Sequence, residues 1–222
     1  MFTCRLVEND RDKELFISLP KKLYNKKYLT QNVKTERKIL NNEHPLSIDF
    51  DIYPFIVLDE DEQILSRSIL TVYPNDNIGY VGYFESVDNI DSVFCLFEVI
   101  KKKAIELGLV KLVGPVDCSI WIKYRFKIDN FDNYYTGEPY NLEYYKELWE
   151  KVGFIVSDNY FSNQLRVPTD EDTIERYQKA FRIIEKRNIE LRNPTIETFD
   201  FYIKEIYSIL INLFHLFFFL KL

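Results

Sequence analysis

The residues able to do chemistry in this sequence are carboxylates and phenols. Histidine occurs only at His44 and His215, too few for a histidine-built metal site or a serine–histidine pair. The cysteines Cys4, Cys95 and Cys118 are odd in number and unrelated in spacing. They imply no disulfide framework and no metal site, and a reducing, cytoplasmic location is the simple inference. Glu85 is the best-placed carboxylate, at the end of the strand-like run "IGYVGYFES". There it can serve as a general base or anchor an amine, or be only a solvated residue at a helix start. Tyr144 and Tyr145 stand in "YNLEYYKELWEKVGF", and Tyr145 precedes Trp149 by one helical turn on the same face. A phenol can protonate a leaving group and an indole N–H cannot, so Tyr145 is the candidate acid and Trp149 is expected in the core. Packing the helix onto a sheet is the competing role for both tyrosines. Asp117 and Ser119 can hydrogen-bond a cofactor or substrate, or simply cap their loop.

The elements that would hold these side chains follow from periodicity. "FTCRLVEN" reads as a strand and "RDKELFISLPKKLYN" as a helix broken by Pro20. A polar stretch with His44 and Pro45 leads to two strands flanking Asp59-Glu60-Asp61-Glu62, a hairpin signal. A strand over 78–86 follows. Over 90–107, Ile90, Val93, Phe94, Phe97, Ile100, Ala104 and Leu107 share one helical face; Asp88 or Asn89 caps it and Gly108 ends it. "LVKLV" resumes as a buried strand, so a strand, a long helix and a strand imply a parallel right-handed crossover. An irregular aromatic segment over 116–139 precedes the 140–154 helix, and a strand is expected over 155–167. The fold class is therefore α/β (α+β): a mixed, mostly antiparallel central sheet with one parallel β-α-β crossover and helices packed on it.

Beyond this unit, 169–188 reads as an amphipathic helix capped by Thr169 or Asp170, with Ile174, Tyr177, Phe181 and Ile184 as its stripe. "IELRNPTIETFDFYIKEIYSIL" then reads as a strand and a helix, repeating in outline the β-α start of the chain. The expected division is a domain over 1–168, a connecting helix over 169–188, and over 189–222 the start of a truncated second domain with an apolar tail. The apolar run 206–220 is shorter than the roughly 20 residues of a membrane span, so a membrane role is not expected. A tail anchor and a chain cut short or frameshifted inside its second domain both stand as readings, and either tail invites self-association. The net charge of −6, with basic residues scattered among acidic ones, argues against nucleic acid as a partner.

Gly82-Tyr83-Phe84-Glu85, the long helix, "VGP" at 113–115, Arg67 on the second hairpin strand and "NLEYYKELWEKVGF" together resemble a bacterial branch of the GNAT N-acetyltransferase superfamily, from about residue 15 to 165. The resemblance implies an acyltransferase moving an acetyl group from acetyl-CoA to a small-molecule amine. Acetyl-CoA would lie where strands 78–86 and 109–114 splay apart. The expected contacts are Tyr83 and Phe84 at the strand end, Asn89 at the helix start, and Gly114, Asp117 and Ser119 beyond the second strand, with Glu85 and Tyr145 the catalytic candidates by their own position. The sequence departs from the family in two respects. The glycine-rich pyrophosphate loop is replaced by "ESVDNIDS", whose Glu85, Asp88 and Asp91 would repel phosphate at a helix start. The superfamily's frequent tyrosine also falls on Trp149. A non-catalytic binding module that kept the fold, or an inactive fragment of a two-domain protein, is the alternative. The segment 121–140, with Tyr134, Tyr135 and Tyr140, is expected to cover a substrate pocket.

Overall fold

The computed structural model describes residues 2–132, 135, 137–163 and 166–214. Tyr134 and His215 lie outside the described residues. The chain divides into two compact units, Met1–Ser157 and Asp158–Leu222.

The first unit is built on a five-stranded sheet, β1 (Thr3–Leu6), β2 (Asp51–Leu58), β3 (Ile64–Val72), β4 (Ile78–Ser86) and β5 (Lys111–Val113), in sequential order. β1 to β4 are antiparallel and β4 to β5 parallel, so the sheet is the mixed one its sequence implies. Period-2 alternation sorts the side chains between two cores. Ile56, Leu58 and Ile69 pack with helix α1 (Asp10–Leu23) and helix α2 (Val33–Leu40). Phe55, Val57 and Leu70 pack with helix α3 (Ile90–Glu106) and helix α4 (Tyr145–Lys151).

α3 follows its predicted course. The Asn89 side chain accepts the Ser92 N–H at 3.0 Å, and Gly108 ends the helix at φ 72°, a left-handed conformation that suits glycine. Val93, Phe97, Ile100 and Ala104 are buried, while Phe94 and Leu107 stay partly in solvent and Leu96 takes their place in the core.

Four expectations need correction. Pro20 does not break α1; the helix runs through it. Proline has no N–H, so the Phe16 carbonyl four residues back lacks its helical donor. Arg67 Nη1 fills that gap at 2.8 Å. The polar stretch before His44 contains α2, capped by Asn32, which its short length concealed. The 140–154 helix begins only at Tyr145, and residues 154–163 form no strand. A strand needs a partner edge, and Ile155 and Phe161 of that run are exposed.

In the second unit, α5 (Asp170–Lys186) starts with a capping box in which Thr169 and Asp172 satisfy each other's backbone N–H. Ile174, Tyr177 and Phe181 are exposed on its apolar stripe. α6 (Phe199–Phe214) follows, but residues 189–194 form no strand, so the β-α repeat is helical only. Among the described residues, no helix is long and apolar enough to cross a membrane.

Candidate functional site

A β-bulge positions the site. Arg67 pairs with Glu85 and Ile69 with Gly82, so Ser68 alone faces two residues of β4, Tyr83 and Phe84. Tyr83 takes φ 48°, and its N–H turns away from β3 to donate to Asp117 Oδ1. Gly82 is required beside it. A Cβ there would lie 1.9 Å from the Val116 carbonyl oxygen, which crosses directly over the strand. Gly82→Ala is therefore expected to destabilise the unit at or above the upper end of the roughly 1–3 kcal/mol typical of overpacking, read from denaturant midpoints.

Glu85 faces inward, not toward the start of α3, which corrects the picture of an acidic helix end. It is 7% exposed, and its Oε2 accepts the Tyr145 hydroxyl at 2.7 Å. Tyr145, fully buried, also accepts the Ser86 N–H at 3.0 Å. Burial pushes the Glu85 carboxyl above its usual range, against the pull of Arg67 and Lys123. Burial, and then the Glu85 charge, raise the Tyr145 phenol well above its ordinary value, so it holds its proton and donates.

Around Glu85 lies a cavity of about 120 Å³, whose walls include Tyr24, Gln31, Glu36, Tyr83, Lys123 and Tyr140. Two ion pairs are complete within its wall. Arg67 meets Glu36 through two bonds, 2.9 and 3.0 Å, and stacks over the Phe16 ring at 4.4 Å. Lys123 lies 3.3 Å from Asp117. Burial opposes the charge of both cations, and the surrounding carboxylates together outweigh it, Glu36 first for Arg67 and Asp117 then Glu85 for Lys123. Glu85 has no ion-pair partner among the described residues. Two buried oxygens in this wall have no hydrogen-bond partner among the described residues, the Tyr83 hydroxyl and Gln31 Oε1, while the Tyr24 hydroxyl interacts with Glu85. Gln31 is oriented by its Nε2, which donates to the Ile17 carbonyl at 2.8 Å and Glu36 at 2.7 Å. Among the described residues, Glu85 is thus the one carboxylate of this wall outside an ion pair, with two further buried oxygens among the lining residues.

Such an arrangement is able to hold a cation. No protein-family model matches the chain, and no curated protein matches its sequence. Solved structures similar to it include the acetyl-CoA complex of a predicted acetyltransferase from Clostridium acetobutylicum, at 14% identity, with 74% of this chain and 96% of that one covered and a TM-score of 0.44. A tandem GNAT protein from the clavulanic acid biosynthesis pathway, without AcCoA, aligns at 9% identity over 69% of this chain and 43% of that one, with a TM-score of 0.47. An acetyltransferase of the GNAT family from Staphylococcus aureus Mu50 aligns at 13% identity over 55% and 78%, with a TM-score of 0.40.

The other sequence candidates occupy different places. Phe84 packs edge-on to Tyr145 and Trp149. Asn89 is engaged as the α3 cap. Gly114 lies against the Trp149 indole, where a Cβ would sit 2.7 Å from a ring carbon. Ser119 takes part in the turn that carries Lys123, accepting the Trp121 N–H at 3.3 Å. Asp117 bridges Tyr83 and Lys123, and so lines the cavity wall. From the 121–140 segment, Ile122, Lys123 and Tyr140 reach the cavity, and Tyr140 stacks on Tyr28 at 4.7 Å. Sequence reasoning did not anticipate Tyr24, Gln31, Glu36 and Lys123.

For acetyl-CoA the fit is poor. At the β4 side of the cleft the Tyr83 and Ser86 N–H groups are taken by the Asp117 and Tyr145 side chains, and the first turn of α3 carries Asp91 beside the Asn89 cap.

Proposed function

We propose that the first unit binds a small protonated amine, as the acceptor-recognising domain of an N-acyltransferase-type protein in the cytoplasm. The observation that supports this is Glu85, a buried carboxylate without a cation in a cavity whose other charges are paired. An ammonium brings three N–H donors, and Glu85 is the acceptor it would meet, with the Tyr83 and Gln31 oxygens elsewhere in the cavity wall. An apolar cavity of roughly 150 Å³ holds one benzene, so about 120 Å³ has room for the ammonium head of an alkylamine. The test is a thermal-shift series of short primary amines against alcohols of the same shape. A saturable rise is expected for amines alone; equal shifts for amine and alcohol would remove the charge argument.

Acetyl transfer to that amine is the second reading. It is favoured by the Glu85–Tyr145 pair at the end of β4, a carboxylate and a phenol 2.7 Å apart where the resemblance places the chemistry. Under it, Tyr145→Phe lowers turnover and spares amine binding, and an unchanged rate would leave Tyr145 structural.

A further inference from the structure

We infer that the cleft between β4 and β5 is filled by the protein's own residues and that the first unit takes no acyl-CoA there. An acyl-CoA pantetheine arm is a chain of two amides, and a strand edge receives such a chain through free backbone N–H and C=O groups. On β4 four of those groups are in use. The Val81 carbonyl accepts the Val116 N–H at 2.9 Å, and the Tyr83 N–H donates to Asp117. At Ser86, Tyr145 accepts the N–H at 3.0 Å and the Tyr144 hydroxyl donates to the carbonyl at 2.8 Å. The two phenols thus supply the acceptor and the donor that a bound amide would bring.

The space is occupied as well. Trp149, 3% exposed, wedges its indole against Gly114 and packs on Phe84, Phe97, Phe126 and Phe154 with ring centroids 4.4–5.5 Å apart. On the cleft side of Glu85, the space bounded by Phe84, Pro115, Phe126 and Asn141 is about 10 Å³, room for roughly one water. At the phosphate end, the Asn89 side chain already takes the Ser92 N–H, and Asp91 adds a like charge. Backbone groups, volume and charge all oppose the same ligand. Trp149 stands where the superfamily's frequent tyrosine is expected, and its role is to fill the cleft.

The test uses the full chain with Trp121→Phe, which removes the one other tryptophan, itself 57% exposed. Trp149 then reports alone, and its emission should be blue-shifted and shielded from acrylamide. Titration with coenzyme A or acetyl-CoA to about 1 mM should leave the emission and the calorimetric baseline unchanged. A saturable fluorescence change, or binding heat with a Kd below that concentration, would overturn the inference. Amine titration of the same sample is read separately. Silence toward amine and CoA together removes the amine reading and leaves the closed cleft standing; binding of CoA removes the closed cleft alone.

Discussion

Replacing Arg67 by methionine is expected to cost roughly 3–5 kcal/mol of stability, because it leaves the Glu36 carboxylate buried without its cation. Glu36 is 6% exposed and would keep only Gln31 as a side-chain donor. The same change removes the donor to the Phe16 carbonyl that Pro20 leaves unsatisfied in α1. Two helices and a strand lose their shared polar anchor at once. At about 2–4 °C per kcal/mol for a chain of this size, the midpoint should fall by roughly 6–20 °C. The double variant with Glu36→Met should recover most of that loss, since an apolar pair of similar volume replaces a buried ion pair at little cost. A single variant that melts like the wild type would show that Arg67 is hydrated and the pair unimportant.

Glu85→Gln should act in the opposite direction on stability and abolish amine binding. The folded state holds the Glu85 carboxyl above its ordinary range, with burial as the leading cause. A group raised on folding contributes stability that is fully present below its unfolded pKa, about 4.3 for glutamate, and lost as pH rises through the folded value. Wherever the side chain is ionised in the folded state, its charge is therefore a burden. Glutamine retains an oxygen to accept the Tyr145 hydroxyl and carries no charge. The variant should melt about 2–4 °C above the wild type near pH 7, a gain of roughly 1 kcal/mol. The gain should shrink as pH falls and disappear below about pH 4. A site residue whose removal stabilises the fold is the signature of a group kept for binding. A variant less stable than wild type at pH 7 would mean that Glu85 contributes structurally.

Much of this arrangement was legible before any coordinates. β4 and α3 stand out because one alternates and the other repeats every three to four residues, with Asn89 and Gly108 as caps. Trp149 in the core followed from indole chemistry and helix phase. Pro20 misled because its cost depends on whether another residue serves the orphaned carbonyl, and Arg67 is 47 residues away in sequence. The strand reading of 155–167 rested on residue types alone, which do not reveal whether a sheet edge is available. The cavity was hidden for a similar reason. Tyr24, Gln31 and Glu36 come from the end of α1 through α2, and Lys123 from a turn past β5. One signal was present: Arg67, inside the apolar run "ILSRSILTV", had to find a buried carboxylate, and that requirement points to Glu36.

The most direct test of amine recognition at Glu85 is calorimetric titration of the wild type and Glu85→Gln at pH 7.5 with the best short primary amine. The account predicts saturable binding to the wild type and a loss of at least about tenfold in affinity in the variant, equivalent to 1.4 kcal/mol. Equal affinity in the two proteins would contradict it, because the carboxylate that defines the site would then play no part.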